Sequence, residues 1–211
     1  TRNDVFASIA NYLSSVGWRN DMTWGREVII PSTLNAKNLS EKKIVKRMAE
    51  WQTLGVRLID RSDLPKRDLK SRLVVPERGQ GRAFLAYENY NNILKWNRSN
   101  FFAIAVGNLA DQIRNEIISN RFDSETISEK LIMEKYGVAR NTAMKSLIVL
   151  EGMGWVVRCP GKGTTIVKNK KALKNTINIM MKINTIGDDL FHQRSWTASK
   201  IINAMGNEAR N

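Results

Sequence analysis

Four residues near one helix start carry groups suited to a polyanion: Arg140, Asn141, Thr142 and Lys145. Arginine and lysine neutralise phosphate, and Asn and Thr hydrogen-bond phosphate oxygens or base edges. The free N–H groups of a helix N-terminus favour the same negative charge. Farther along, Gly161-Lys162-Gly163-Thr164 sets a lysine between two glycines, where a backbone can approach a partner closely. Acid–base chemistry is the other candidate, through Glu27, Glu41, Glu50, Glu77 and Glu88. A carboxyl that donates a proton must be kept protonated by a low-polarity pocket. Glu41 and Glu50 instead read as solvated helix-face residues, and Glu88 as a turn residue. Cys159 is the single cysteine and His192 the single histidine. An internal disulfide, a His-rich metal site and Ser-His catalysis are therefore excluded, and no metal or cofactor is expected. His192 reads as a solvated tail residue.

The elements that must position the first set follow from periodicity. Ile113, Ile117 and Ile118 form an apolar stripe at helical spacing. A short helix then ends at Tyr136-Gly137, where glycine takes a left-handed conformation without cost. A second helix runs from about Asn141 to Glu151 and is broken by Gly152 and Gly154. Ala143, Leu147 and Leu150 are spaced to bury against Leu131, Ile132 and Val138. Trp155–Arg158 and Thr164–Val167 read as strands around a glycine-tipped turn. Helix, helix-turn-helix and hairpin is the order of a winged helix-turn-helix, whose second helix can enter a DNA major groove. The same pattern also fits an ordinary helical subdomain with a surface hairpin.

Upstream, Asp4–Val16 reads as a helix ended by Gly17, and Glu27–Ile30 as a strand stopped by Pro31. A basic helix is expected from about Ser40 to Leu54, burying Ile44, Val45, Met48 and Trp51. Arg57–Lys70 reads as polar and irregular. Leu73–Val75 and Ala83–Tyr87 read as short strands. A helix from Tyr90 breaks near Trp96–Ser99 and resumes as one continuous helix from about Phe101 to Ser119. No run of about 18 apolar residues exists, so no membrane span is expected. The chain opens on Thr1 and reads as cut from something longer.

The 211 residues carry a net charge of +14, which suits an anionic partner. That charge is uneven: residues 1–110 hold 18 Lys and Arg against 10 Asp and Glu, residues 111–169 hold 9 against 7, and residues 170–211 hold 7 against 3. The region with the helix-turn-helix pattern is thus the least basic. The basic first half suits an acidic cell-wall polymer equally well.

The stretch IRNEIISNRFDSETISEKLIMEKYGVARNTAMKSLIVLEGMGWVVRCPGKGTTIV resembles the DNA-binding domain of GntR-type transcriptional regulators, over roughly Leu109–Val167. By that resemblance Lys130 stands where the family has a DNA-contacting arginine. Arg140 and Thr142 match its recognition-helix contacts, and Gly161 and Gly163 its wing. Ala139 replaces the usual Ser or Thr, which removes a helix cap worth roughly 1 kcal/mol. Met144 replaces a common second arginine, with Lys145 beside it as partial compensation.

The stretches DVFASIANYLSSVGWRNDMTWGREVIIP, EWQTLGV and RAFLAYENYNNILKWNRSNFFAIAVGNLADQI resemble the C-terminal half of the lytic murein transglycosylase B catalytic domain. That family cleaves peptidoglycan glycan strands to 1,6-anhydro products. Its catalytic glutamate and calcium loop would precede Asp4, and Glu27, Glu41, Glu50, Glu77 and Glu88 match no catalytic position. Trp96, Asn97, Ser99 and Phe102 match a segment that lines the family's active site. There an aromatic face can stack on a sugar, and Asn97 can bond an acetamido group. Trp96 and Phe102 as plain core residues are the alternative.

The expected fold is mainly α within an α+β class. A partial lysozyme-like helical half-domain (1–110) leads into a winged helix-turn-helix (111–169) and a basic helical tail (170–211). The expected function is a DNA-binding transcriptional regulator module joined to a catalytically inactive transglycosylase fragment. Murein lytic transglycosylase, or a glycan-binding remnant, is the alternative. Double-stranded DNA is the expected partner, with peptidoglycan strands as the second. The apolar stripe Leu173, Ile177, Met180 and Met181 suits packing or a homodimer contact. DNA binding implies the cytoplasm, and glycan binding the periplasm or cell envelope. A fragment, a fusion or an artificial chimera would reconcile two such compartments in one chain.

Overall fold

The computed structural model describes residues 15–77, 79–159 and 163–167, all within one compact unit. The expected helix at 4–16 (save its last two residues), the wing-tip residues Gly161 and Lys162, the tail at 170–211 and His192 lie outside the described residues.

The first half is built on a sheet, so the expected mainly helical half-domain is corrected to a mixed α+β one. Its strands are β1 (Gly25–Ile29), β2 (Val45–Arg47), β3 (Arg57–Leu58), β4 (Lys70–Val74) and β5 (Ala83–Ala86). They pair antiparallel in the order β2-β4-β5-β1-β3. The basic helix expected over Ser40–Leu54 is instead α1 (Ala36–Glu41), the edge strand β2, and α2 (Met48–Thr53). Lys43 adopts φ +50, which an α-helix cannot contain, and the chain leaves the helical path there. Val45 is consequently 56% exposed on the sheet edge, while Met48 and Trp51 are buried as expected. The segment read as irregular supplies β3, a two-residue edge strand, and Lys70 at the start of β4, which pairs with the edge strand β2; so short a run cannot show period two.

All four residues of β5 are buried because both faces of this central strand are covered. Trp51, Leu73 and Leu85 pack on one face. Val74, Phe84 and Ala86 pack on the other, beneath Trp24, α3 (Glu88–Leu94) and α4 (Asn100–Ile118). Buried Asn89 pins the loop before β1: its Oδ1 accepts from Arg19 N at 2.9 Å, and its amide donates to Arg19 O and Met22 O at 2.8 and 2.7 Å.

The continuous helix expected from Phe101 to Ser119 is α4, and the boundary read near residue 110 falls inside it. Its first half packs on the sheet, where Gly107 lets the Trp24 indole lie against the helix backbone. Trp24 Nε1 donates to Asp111 Oδ2 at 2.8 Å. The second half of α4 belongs to a bundle with α5 (Glu129–Tyr136) and α6 (Arg140–Gly152). Of its expected stripe, Ile113 is buried, Ile117 is half-buried and Ile118 is 62% exposed. The Ser146 hydroxyl lies 3.0 Å from Val106 O, joining α6 to α4. Trp18 lies against Gly152 at the far end of α6. One continuous core therefore runs from Trp18 and Phe84 to Leu147 and Val156.

Candidate nucleic-acid interface

The helix-turn-helix is assembled by local rules. Ser128 is extended, and its Oγ accepts from Leu131 N at 3.0 Å, capping α5. The helix ends at Gly137 with φ +63, whose N–H returns to Met133 O at 2.9 Å. Ala143, Leu147 and Leu150 are buried together with Ile132, in agreement with their spacing. Leu131 is the exception; it is 37% exposed because Ile132 takes the inward position. Ala139 begins α6 with no side-chain cap, so the first amides of the helix are left for solvent or a ligand.

The four residues at the start of α6 divide in two. Arg140 and Asn141 are exposed and Thr142 is half-buried. Arg140 Nε meets Glu129 Oε2 at 3.3 Å, and Lys130 Nζ meets Glu134 Oε1 at 3.8 Å. Exposed pairs of this kind are worth at most about 1 kcal/mol, so a phosphate can displace either carboxylate. Lys145 does not share that surface. It is half-buried, with Nζ 4.6 Å from the centre of the Trp96 ring. Burial, reinforced by the Arg158 charge, lowers the pKa of its ammonium.

The wing is a three-stranded sheet of β6 (Thr126–Ile127), β7 (Val156–Cys159) and β8 (Gly163–Ile166), in the order β6-β8-β7. The sequence reading missed β6, whose two residues are too short to carry a pattern. Thr164 is buried between Ile127 and Arg158, whereas Gly163 is exposed at φ +84. Arg158 is a neighbour of the candidate site that the sequence reading did not point to. Its side chain is 8% exposed, with Nε 3.6 Å from Glu151 Oε2 and Nη2 donating to Met144 O at 3.0 Å. Its backbone N–H donates to Glu151 Oε1 at 3.2 Å. Wing and α6 are therefore bolted together. Burial raises the Glu151 pKa, and the Arg158 charge opposes that shift. The available signal was an arginine two residues from Val156, on the inward face of the strand.

The candidate glycan residues are mostly engaged in local structure. Asn97 Oδ1 accepts from Ser99 N at 3.0 Å, and Ser99 Oγ accepts from Phe102 N at 3.3 Å as the cap of α4. Phe102 and Trp96 are half-buried against the core. Among the glutamates, Glu41, Glu50, Glu77 and Glu88 are exposed, and half-buried Glu27 is paired with Arg82. Glu50 Oε2 accepts from Arg47 N at 2.7 Å at the start of α2.

Residues 1–111 match the family described as Transglycosylase SLT domain. The chain belongs to that family. Residues 106–166 match the bacterial regulatory proteins of the gntR family, and the two matches overlap on α4. One polypeptide thus joins a transglycosylase-type region to a gntR-type region. Two similar solved structures are SltB3 from Pseudomonas aeruginosa, in complex with NAG-anhNAM-pentapeptide and with NAG-NAM-pentapeptide. Each is 35% identical over 46% of this chain and 26% of that one, with TM-scores of 0.43 and 0.42. The chain thus spans about a quarter of their length. No curated protein matches it. Among the described residues, no helix is long and apolar enough to cross a membrane.

Proposed function

We propose that this chain is a DNA-binding regulator module that grips duplex DNA with the start of α6. The observation that carries this reading is the open first turn of α6. Arg140 and Asn141 face solvent there beside uncapped amides, with Lys130 nearby on α5. Lys130 and Arg140 contact phosphate or base edges, Asn141 and Thr142 add hydrogen bonds, and the wing at Gly163 lies along the DNA backbone. Thr164, buried in the sheet, supports the wing from within. Such binding belongs in the cytoplasm. The test is selection from random duplexes by gel shift, followed by anisotropy titration at fixed salt. Arg140→Ala is expected to weaken binding by about 1–3 kcal/mol if the arginine reads a base. Unchanged affinity would refute the assignment.

The transglycosylase match over residues 1–111 favours a second reading, in which peptidoglycan glycan strands bind near Trp96 in the cell envelope. In that reading these 211 residues bind glycan without cleaving it. The described glutamates of the first half are exposed or ion-paired, and neither setting keeps a carboxyl protonated. Clearing of a peptidoglycan suspension by the purified chain would disprove the lack of cleavage.

A further inference from the structure

Lys145 has the residue type and position for a DNA contact, yet it faces the other half of the chain. Its Nζ lies 4.6 Å from the centre of the Trp96 ring, a cation–π distance. Trp96 is held in turn. It follows α3 through a turn in which its N–H returns to Ile93 O at 3.0 Å, and it packs on the shared core. On the helix side, the Ser146–Val106 bond fixes the rotation of α6, so that position 145 is presented to Trp96. Arg158 bears on Lys145 from the wing and repels it. Arg158 is itself paired with Glu151.

We infer that Trp96 withholds Lys145 from the duplex, so that the transglycosylase-type half sets the affinity of the gntR-type half. The inference rests on the DNA-binding reading and adds a residue to it that lies outside the helix-turn-helix. With Lys145 on the indole, contacts come from the first turn of α6, Lys130 and the wing. Removing the ring frees one more cation for the phosphate backbone. One added phosphate contact steepens the dependence of log K on log salt by about 0.9. Affinity at low salt should rise by up to roughly tenfold, as for one charge-assisted hydrogen bond.

The experiment compares the full chain with Trp96→Ala, Trp96→Phe and Trp96→Ala/Lys145→Ala, titrated against one selected duplex at several salt concentrations. Trp96→Ala is expected to bind more tightly with the steeper salt slope. Trp96→Phe, which keeps a ring face, restores the restraint, and the double variant loses the gain. A Trp96→Ala chain with an unchanged slope, or a double variant that keeps the whole gain, overturns the inference. Trp96 packs on the core, so a second measurement is made on the unaltered chain. Lysines are dimethylated with carbon-13, and Lys145 is assigned by its loss in Lys145→Arg. Its methyl resonance should be shifted upfield by the ring, and a resonance at the position of a solvated lysine overturns the inference. Failure of every chain to bind any duplex defeats the functional reading itself. Binding with a silent Trp96→Ala defeats only the withholding.

Discussion

Gly107→Ala tests most directly the core that the sheet and the helix-turn-helix share. Gly107 sits inside α4, and in an exposed helix alanine would stabilise by about 0.8–1 kcal/mol over glycine. Here the added methyl would lie 2.7 Å from Trp24 Nε1 and closer still to the indole carbons. Trp24 is fully buried, with Phe84 and Tyr90 ring centres 5.9 and 6.1 Å away, so the ring has little space to retreat. Overpacking of this kind costs about 1–3 kcal/mol. Displacing the indole also breaks its bond to Asp111, leaving Oδ2 of a partly buried carboxylate without that donor at a further cost of about 1–3 kcal/mol. Subtracting the helix-propensity gain leaves a net loss of about 3 kcal/mol. With a urea slope of about 2 kcal/mol/M, the midpoint should fall by about 1.5 M. The loss should also appear in one transition, reported alike by tryptophan fluorescence and by helical circular dichroism. An unchanged or raised midpoint would refute the packing of α4 on Trp24. Two separated transitions would refute the continuous core.

Two further changes probe the winged helix and the junction. Ala139→Ser supplies the missing cap of α6 and should add about 0.5–1 kcal/mol of stability, measured as a higher melting temperature; no gain would mean that the amides of that turn already have partners. Asp111 has its pKa raised above the ordinary 3.8, mainly by burial, with Arg114 at 2.8 Å, Trp24 and the Arg26 charge opposing. A raised folded pKa means that the native state binds more protons, so this group's contribution is complete below about pH 3.8 and is lost as pH rises through the raised value. Asp111→Asn, which keeps an acceptor for Trp24 and does not ionise, should therefore lose less stability than the unaltered chain between pH 4 and 7. Parallel urea midpoints across that range would contradict the assignment.

Sequence alone determined whatever depends on neighbours along the chain. The spacing of Ala143, Leu147 and Leu150 picked out buried positions of α6, Gly137 marked the end of α5, and the unbroken run from Phe101 to Ser119 announced one long helix. These features are set by helical period and by the conformations a residue allows, both local properties. The five-stranded sheet was only half legible. Its edge strands β2 and β3 are held by pairing with residues far away in sequence, and they lack a face that alternation could reveal. The candidate site followed the same division. Arg140 and Asn141 are exposed because the first turn of a helix projects beyond its packing partners. Whether Lys145 could join them depended on Trp96, about fifty residues earlier. Their approach depends on how α6 sits on α4, a seating marked by Trp18 on Gly152, Trp24 on Gly107 and Ser146 on Val106. Residue type supplied the cation; the packing of α6 on α4, and of α4 on the sheet, decided which way it faces.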